Sequence, residues 1–358
     1  MKLIFFAINQ SPFIIELVDN LYSYLPEGSS VKIVLQQKLG NERSHWGLKK
    51  CSNPIEILEM PTDIISYLYS NSPNCIIFTG YRMKMFMTVK KWAKKNDVKF
   101  FINCSEKISE YNCSPFIVWL KYKYFQHRVK GVCGMMAISN RALERYQKYS
   151  KAPTIVIPYT FNMDRLLAFD PLEYDGKTLT FLISGRLEQF RDPIYSIKLY
   201  NDIKKARPNI KTRLIISGKG SLYHKVIELI SDLGIEKDTV WMNDFNKWEE
   251  IHEIYKKAHV LLCFQEYGGW GLIVPEAMAA GLVVACSSTV DSGDNCIIDG
   301  YNGLYCNRKD YVTTLNSILD IVDNPEKFDY LRRNAKESAI VGDVKYYAKR
   351  LAKFIQAY

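Results

Sequence analysis

Residues 270–288 read WGLIVPEAMAAGLVVACSS and follow a strand-like apolar run, AHVLLCF, at 258–264. The segment holds a glycine-containing loop, a helix-forming EAMAAG that begins with the carboxylate of Glu276, and a second strand-like run, LVVACS. A strand, a helix and a strand in close succession form the repeating unit of a parallel α/β sheet. The stretch therefore predicts an α/β fold, with a loop after one strand and an acid at the start of the next helix.

The same alternation runs through the first half of the chain. Runs rich in β-branched and aromatic residues that close on turn residues predict strands at 2–8, 31–37, 74–80, 98–104, 134–139 and 153–159. Amphipathic segments between them predict helices at 12–25, 82–96, 116–130 and 140–150. This alternation indicates a parallel sheet covered by helices on both faces.

The pattern restarts after a polar, turn-rich join at 160–178. Strands are predicted at 179–185, 212–218, 239–244, 258–264 and 282–287, and helices at 193–206, 223–233, 248–257, 276–280 and 344–358. We therefore expect two doubly wound, Rossmann-like domains, residues 1–165 and 166–340, and a C-terminal helix within 341–358 that packs back on the first domain. Because open α/β sheets bind ligands beyond the carboxyl ends of their strands, we expect the domains to face each other across a cleft.

The composition excludes several classes of protein. The chain has 358 residues, 47% of them hydrophobic and 24% charged, which fits about two globular domains. No apolar run reaches the roughly 18 residues that a membrane-spanning helix needs, and MKLIFFAINQSPF at the start is interpreted as a buried strand. The nine cysteines are scattered without CxxC spacing, which indicates reduced thiols and a cytoplasmic location.

The positive charge is concentrated in the first half of the chain. The net charge is +10, but residues 1–160 hold 22 Lys and Arg against 11 Asp and Glu, and the remainder holds 26 against 27. Such asymmetry favours an anionic partner, namely membrane lipid, a lipid-phosphate substrate or nucleic acid. The segment 116–130, FIVWLKYKYFQHRVK, mixes aromatic and basic residues. It suits either a membrane interface or a helix that packs on the sheet with its Lys heads in solvent.

Turn signals in the second half stand directly after predicted strands. SGRLEQFRD at 184–192 places Gly185 where backbone can approach a ligand, with Arg186 and Arg191 five residues apart. Guanidinium groups match the geometry of phosphate oxygens. SGKGS at 217–221, which includes Gly218, leads into a helix whose first amides can hold an anion. Taken alone, each of these segments also fits an ordinary turn.

Glu276 stands at a predicted helix start behind a loop of bare backbone. An acid is favoured there by the helix dipole alone. The glycines at 268, 269 and 271 leave backbone N–H groups open to a ligand, and a carboxylate accepts well from paired sugar hydroxyls. We therefore assign Glu276 to a binding cleft, where its replacement would spare the fold.

The segments SGRLEQFR, SGKGS, GGWGLIVPEAMAAGLVVACSS and IIDGYNGLYC, in this order and at these intervals, resemble the C-terminal domain of GT-B glycosyltransferases of family four. The likeness is strong over about 180–306. It is weaker in MMAISNRALERY and IVIPYTFNMD, and before residue 130 it rests on layout alone. The family consists of retaining enzymes that use nucleotide-sugars without a metal.

The resemblance implies roles for individual residues. Glu276 would bind the ribose hydroxyls, and Arg186 and Arg191 would neutralise the diphosphate. Arg191 stands where the family usually has Lys, which keeps the charge. The donor-binding set that the resemblance implies is Gly185, Gly218, Met242, Asn243, Gly268, Gly269, Trp270, Gly271, Leu272, Ile273 and Glu276, of which 271–273 approach sugar and phosphate and Met242 and Asn243 flank the base.

One position departs from the family pattern. The family has a Glu eight positions before the helix Glu, and here that position is Gly268. The nearest acid is Glu266. Either Glu266 reaches the donor sugar through a two-residue bulge at Gly268 and Gly269, or the contact is absent.

On the acceptor side the sequence offers few signals. Asn9 and Ser11 follow the first predicted strand and face the expected cleft, and Glu106 and Lys107 follow the strand at 98–104. A solvated charge run explains Glu106 and Lys107 equally well.

We therefore expect a retaining, metal-independent hexosyltransferase of bacterial polysaccharide type. Its substrates would be a UDP- or GDP-linked sugar and a glycan or lipid-linked acceptor, with no further cofactor. We expect no nucleic-acid partner, since the basic residues are spread over many helices without a known motif. The enzyme would be cytoplasmic, with attachment to the inner face of an anionic membrane as an added expectation. The alternatives are a nucleotide-sugar epimerase of the same fold and a degenerate transferase kept as a binding or scaffold subunit, which the glycine at 268 favours.

Overall fold

The computed structural model describes residues 1–37, 51–104, 113–243, 248–267, 269–339 and 342–358. The chain forms two compact units, Met1–Asn162 with Asp343–Tyr358, and Met163–Gly342. The predictions for Glu106, Lys107 and Gly268 fall outside the described residues.

The first unit is a doubly wound parallel sheet. Its elements up to residue 162 are β1 (Lys2–Ala7), α1 (Pro12–Tyr22), β2 (Ser30–Leu35), β3 (Glu56–Glu59), α2 (Ile64–Asn71), β4 (Cys75–Thr79), α3 (Phe86–Lys95), β5 (Lys99–Cys104), α4 (Pro115–Val129), β6 (Gly134–Ala137), α5 (Asn140–Tyr149) and β7 (Thr154–Val156). Within the described residues the sheet has seven strands in the order β3-β2-β1-β4-β5-β6-β7, all parallel.

The second unit repeats this architecture. Its elements are α6 (Asp164–Leu167), β8 (Thr178–Ser184), α7 (Pro193–Ala206), β9 (Lys211–Ser217), α8 (Tyr223–Asp232), β10 (Thr239–Trp241), β11 (Val260–Cys263), α9 (Ile273–Ala279), β12 (Val283–Ser287), α10 (Asp291–Cys296), β13 (Leu304–Cys306), α11 (Tyr311–Val322) and α12 (Pro325–Ala339). In the part of the chain that the structure describes, six parallel strands follow the order β10-β9-β8-β11-β12-β13.

Local chemistry explains where several helices begin. Pro12 occupies the first turn of α1, where its missing N–H costs nothing. The Asp63 carboxylate accepts from the amides of Ile65 and Ser66 and so caps α2. Asp192 caps α7 by accepting from the Tyr195 amide.

The last helix, α13 (Val344–Ala357), belongs to the first unit. Leu351 and Ile355 join a core that includes Phe5 and Ile33. The Phe354 ring lies 5.8 Å from the Phe101 ring, and a Cβ on Gly134 would stand 2.6 Å from it. A side chain at position 134 would therefore force the Phe354 ring to shift.

Several segments differ from the sequence prediction. The prediction omitted β3, α2, α6 and, after residue 288, α10, β13, α11 and α12. Residues 248–257 form a 3-10 helix rather than an α-helix. Apolar periodicity separates these two helix types poorly, since i and i+3 share a face in both. All nine cysteines are free thiols.

Candidate active site

The candidate site lies at the carboxyl edge of the second sheet, where the loops after β8, β9, β10 and β11 meet. Parallel strands end at the same edge, so residues far apart in sequence become neighbours there. Loop-to-loop hydrogen bonds define the arrangement: the Gly185 amide donates to Ser217 O at 2.8 Å and the Glu266 amide to Phe190 O at 2.9 Å.

The two arginines predicted to bind phosphate lie close to one aromatic ring. The Arg186 and Arg191 guanidinium carbons lie 5.9 and 5.4 Å from the centroid of Phe190. Both residues line a recess that also includes Gly185, Cys263 and Gln265. The structure thus brings the two cations to one place, although they are five residues apart in sequence.

Arg191 differs from Arg186 in its surroundings. Burial lowers the pKa of the Arg191 guanidinium, and the charge of Arg186 lowers it further, whereas Cys263 acts in the opposite direction. The buried Nε of Arg191 has no hydrogen-bond partner among the described residues. A buried cation that lacks a bonded acceptor is costly, and an anion at this point would relieve the cost.

The loop after β9 has a different role from the one that the sequence suggested. The Gly218 amide donates to Asn243 Oδ1 at 2.6 Å, and the Leu187 amide donates to Lys219 O at 3.1 Å. The Glu188 carboxylate accepts from both the amide and the hydroxyl of Ser221, at 3.2 and 2.6 Å. Protein acceptors therefore take the Gly218 and Ser221 amides, whereas the sequence analysis assigned a ligand anion to the first amides of the following helix.

The glycines of this loop are required by backbone packing. Gly218 has φ +150°, and a Cβ there would lie 1.8 Å from the carbonyl oxygen of Gly185. A Cβ on Gly220 would meet the carbonyl oxygen of Leu187 at 2.5 Å. Glycine at both positions lets the loops after β8 and β9 lie backbone against backbone.

Gly218→Ala is expected to destabilise the second unit by about 2–4 kcal/mol, since the added methyl group must displace backbone. Gly234→Ala is the matched control: Gly234 has φ +65° with nothing within 4 Å of the added Cβ. It should cost only about 1–2 kcal/mol, for left-handed backbone alone. Chemical denaturation of both variants measures the difference, and equal losses would show that the Gly218–Gly185 approach is not tight.

Met242, which the sequence analysis placed beside the base together with Asn243, takes part in strand pairing. The Met242 amide donates to Ile216 O at 2.9 Å, which continues the pairing of β10 with β9. Together with the bond from Gly218 to Asn243, this fixes Met242 and Asn243 against the strand end. Any contact with a base would come from groups that these bonds leave open.

The loop after β11 borders the two arginines. Its Glu266 amide is bound to Phe190 O, as described above, and the Tyr267 ring lies 5.9 Å from the Phe190 ring. Glu266 is half-buried and Gly269 is exposed on this loop. The bulge by which Glu266 would replace the missing acid at Gly268 stays a prediction.

Ser292 donates hydrogen bonds to the backbone carbonyls of both Trp270 and Gly271. The Ser292 amide donates to Trp270 O at 2.8 Å, and its hydroxyl donates to Gly271 O at 2.7 Å. Gly271 has φ +80°, and a Cβ there would stand 2.7 Å from Val290. Trp270 is buried, and its Nε1 has no hydrogen-bond partner among the described residues.

The sequence suggested that Glu276 lies in an open cleft, but the structure buries it in α9. Leu272 precedes this helix and Ile273 begins it, and every residue of α9 is buried. Glu276 is only 4% exposed. The apolar sequence around it, LIVPEAMAA, explains this, because a helix that is apolar on all sides lies inside the domain.

Two residues that the sequence analysis missed surround the Glu276 carboxylate. The Tyr255 hydroxyl donates to Oε2 at 2.5 Å, and His252 Nε2 lies 3.9 Å from Oε1. Oε1 accepts no hydrogen bond from the described residues. His252 and Tyr255 are three residues apart, a spacing that puts both on one face of a helix. That spacing was the available signal, but nothing in the sequence linked it to Glu276.

Burial dominates the protonation of Glu276. It raises the pKa of the carboxyl from 4.5 to about 7, although the bond from Tyr255 lowers it. The pKa of Tyr255 is raised well above its usual value by burial and by the nearby Glu276. The site therefore holds an acid that changes charge near neutral pH.

At the carboxyl edge of the first sheet, Asn9 and Ser11 follow β1. Ser11 precedes α1 without a side-chain cap, and its amide donates to Asn9 O at 2.8 Å. A recess at this edge is lined instead by residues that include Phe13, Asn103 and Tyr159. Asn103 is a buried polar residue that the sequence analysis missed.

The described residues offer neither a metal-binding cluster nor a membrane-spanning helix. They contain no group of three or more His, Cys, Asp and Glu side chains placed to hold a metal ion. No helix among them is long and apolar enough to span a membrane.

Comparison with known proteins identifies the second unit. Residues 164–338 match the family described as Glycosyl transferases group 1. This range lies inside Met163–Gly342, so the second unit is a group 1 glycosyltransferase domain of the GT-B, family-four-like type.

Two curated relatives carry the same kind of description. The chain is 25% identical over 222 residues to the uncharacterised glycosyltransferase MJ1059 of Methanocaldococcus jannaschii. The aligned region covers 58% of this chain and 52% of that protein. It is 25% identical over 152 residues to D-inositol 3-phosphate glycosyltransferase of Corynebacterium diphtheriae, which covers 41% of this chain and 35% of that protein. The chain thus spans between a third and a half of the length of these relatives.

A solved structure confirms the fold. Anabaena HepE in complex with UDP and glucose aligns over 100% of both chains, with a TM-score of 0.74 and 13% identity. Likeness at this identity concerns the fold alone, and the fold is GT-B, with two Rossmann-like halves.

Proposed function

We propose that the chain is a retaining, metal-independent glycosyltransferase. It moves a hexosyl group from a UDP- or GDP-linked sugar to a glycan or lipid-linked acceptor. The second unit holds the donor, and the first unit holds the acceptor. The glycosyltransferase domain at 164–338 supports the reaction class. HepE is a protein of the same fold whose structure contains UDP and glucose, which supports the kind of donor.

One observation carries the proposal. Three buried polar atoms at the carboxyl edge of the second sheet have no hydrogen-bond partner among the described residues: Arg191 Nε, Trp270 Nε1 and Glu276 Oε1. They offer a charged donor, a neutral donor and an acceptor. A nucleoside-diphosphate sugar has phosphate oxygens for the first two and ribose hydroxyls for the third. Buried polar groups are normally bonded, so this set is suited to a ligand with both functions.

The arginines act on the leaving group. When the bond from the anomeric carbon to the diphosphate breaks, the diphosphate keeps the electron pair and gains negative charge. The Arg191 guanidinium is half-buried with its Nε shielded from solvent before the donor binds, so it stabilises that charge with little reorganisation of water. Arg186 is exposed, with its guanidinium carbon 5.9 Å from the Phe190 centroid, and adds a second, more screened cation.

The Glu276 carboxylate recognises the ribose. Tyr255 occupies Oε2, which leaves Oε1 to accept from a ribose hydroxyl. Only the ionised acid accepts through both oxygens. The ionised carboxylate is the stronger acceptor, so we expect it to bind the donor more tightly than the protonated form, and burial keeps the carboxyl largely protonated below its pKa of about 7.

Donor affinity is accordingly expected to rise with pH. With a pKa of about 7, the ionised fraction of Glu276 grows about tenfold between about pH 6 and pH 8, and the apparent affinity grows with it. Calorimetry with an intact nucleotide-sugar measures this, since its diphosphate does not titrate in that range. The variant Glu276→Gln should bind weakly with no such pH dependence. A flat profile for the wild-type protein would remove Glu276 from the ribose contact.

Product analysis tests the reaction itself. Proton NMR of a mixture of protein, nucleotide-sugar and acceptor in EDTA should show a new glycoside with the anomeric configuration of the donor. An inverted product would contradict the retaining mechanism, and activity that requires added Mg²⁺ would contradict metal independence. Isomerised donor without acceptor would instead identify an epimerase, and binding without turnover would identify a scaffold.

A further inference from the structure

The first two turns of α4 present apolar side chains to solvent. Phe116, Ile117, Trp119 and Leu120 are 66%, 46%, 53% and 45% exposed. The buried residues of α4, Tyr122, Phe125 and Val129, all come after this exposed stretch. Single exposed apolar residues are ordinary, but four within five positions form a patch that needs a partner.

The patch belongs to a strongly basic face. Lys90 Nζ donates to Arg128 O at 2.6 Å, which joins α3 to α4. The Phe125 and Tyr146 rings, 4.9 Å apart, join α4 to α5. The three helices α3, α4 and α5 carry ten Lys and Arg and a single acid, Glu144. The first unit as a whole has 26 Lys and Arg against 12 Asp and Glu, and the second has 22 against 26.

The basic and aromatic groups are interleaved at the patch itself. The Phe116 and Trp119 rings stack with centroids 5.9 Å apart, and Lys123 Nζ lies 5.9 Å from the Trp119 centroid. Protein–protein interfaces are depleted in Lys at their cores. Trp beside Lys is instead typical of the boundary between water and lipid, where the ring lies at the headgroups and the ammonium meets anionic lipid.

Not every cation of the face is available to a partner. The Arg128 guanidinium donates to Tyr81 O at 2.8 Å and Met83 O at 3.1 Å, so it holds the fold together. Lys121 Nζ donates to Cys113 Sγ at 3.0 Å. The exposed ammonium groups of α3–α5 that are free to meet a surface belong to Lys91, Lys94, Lys95, Lys123 and Lys148.

The patch lies at the functional edge of the first unit. In a parallel sheet, a helix that follows a strand begins at that strand's carboxyl end, and α4 follows β5. The recess lined by Phe13, Asn103 and Tyr159 is at the same edge. A surface that contacts the first turns of α4 is therefore expected to lie on the side of the first unit to which we assign the acceptor.

We propose that the first two turns of α4 insert into the headgroup layer of an anionic bilayer while the cations of α3–α5 lie against its surface. This contact brings the carboxyl edge of the first unit to lipid-linked molecules. The identity of the acceptor rests on the proposed function, whereas the membrane contact does not.

Vesicle sedimentation tests the contact. The protein should pellet at low salt with phosphatidylglycerol-containing vesicles and not with pure phosphatidylcholine, and raising the salt should release it. Each cation near such a surface changes partitioning about fivefold, so Lys91→Gln with Lys123→Gln should lower it about 25-fold. Phe116→Ser with Trp119→Ser should lower it about tenfold or more, through lost apolar burial.

Matched variants control for charge and hydrophobicity. Lys237→Gln with Lys309→Gln removes two exposed charges from the second unit, and Val312→Ser removes an exposed apolar side chain there. Both should bind vesicles as the wild-type protein does, and all variants should keep wild-type affinity for nucleoside diphosphates. Wild-type protein that ignores anionic vesicles would overturn the proposal. The proposal would also be overturned if the Phe116/Trp119 variant pelleted as well as the wild-type protein. It would likewise be overturned if gel filtration showed that the patch joins two copies of the chain and that the variant separates them.

Brominated lipid gives an independent readout of insertion. Lipid brominated near the headgroup should quench the fluorescence of Trp119 in bound protein, and Trp119→Phe should lose most of that quenching while it still pellets. Quenching that persists in Trp119→Phe would place another tryptophan at the bilayer and contradict the assignment. If the wild-type protein binds vesicles but no nucleotide, the proposed function is wrong and the membrane contact still stands.

Discussion

Replacing Glu276 with Gln is expected to stabilise the ligand-free protein by roughly 2.5 kcal/mol more at pH 8 than at pH 5. Unfolded chains release this proton near 4.5, whereas the folded protein releases it at about 7. Between these values a rise in pH favours the unfolded state, so the wild-type protein loses stability there and the variant does not. Above about pH 7 the difference in unfolding free energy between the variant and the wild-type protein stays constant.

The same substitution should weaken nucleotide binding by about 1.5–3 kcal/mol, because the ribose loses a charged acceptor. Thermal unfolding of both proteins from pH 5 to pH 8 and calorimetry at pH 8 measure the two effects. A gain in stability together with a loss of affinity is the expected signature of a binding residue held at a cost to the fold.

Glu253→Gln is the control for the pH dependence. Its exposed carboxylate pairs with Lys256 and Arg165, and these bonds lower its pKa. Its contribution has the opposite sign, so this variant should gain nothing as pH rises from 5 to 8. If Glu276→Gln tracks the wild-type protein across the whole range, the Glu276 carboxyl is ionised throughout and the burial argument fails.

Arg191→Met is expected to lower kcat by about 10²–10³-fold, the usual loss when a preorganised charge partner of a leaving group is removed. Donor affinity should fall much less, because the charge on the diphosphate grows in the transition state. Stability should not fall, because Met fills a similar volume and removes a buried cation whose Nε is unbonded. Steady-state kinetics and thermal unfolding measure the two quantities.

Arg213→Met serves as the control for Arg191→Met. Arg213 is an exposed arginine on β9, paired in register with Thr180 and away from the carboxyl edge. It should change neither kcat nor affinity. Unchanged kcat in Arg191→Met, or a loss confined to donor affinity, would show that Arg191 only holds the ground state.

The sequence predicted the strand, loop, helix and strand around Glu276 because each element there carries strong local signals. Val283–Ser287 is apolar and β-branched, and Gly271 marks a turn with positive φ. The strand Glu56–Glu59 gave no such signal, since it is a short strand at the sheet edge with charged ends. Edge strands bury little, and their apolar pattern is accordingly weak.

The roles of individual glycines and polar groups could not be predicted locally. A glycine that exposes its amide to a ligand and one that admits another backbone look alike in sequence. Gly218 proved to be the second kind because Gly185, 33 residues earlier, packs against it. The protonation of Glu276 likewise depends on Tyr255, 21 residues earlier, and on burial by the whole helix.

Nucleotide binding tests the central assignment most directly. A thermal-shift titration with UDP and GDP should stabilise the wild-type protein by roughly 2.7 kcal/mol when one of them is present at 100 times its Kd. Glu276→Gln and Arg191→Met should need higher concentrations for the same shift, with the larger displacement for Glu276→Gln, and Arg213→Met should match the wild-type protein. Absence of any shift with either nucleotide, or equal shifts in all four proteins, would contradict a nucleotide-sugar site at the carboxyl edge of the second sheet.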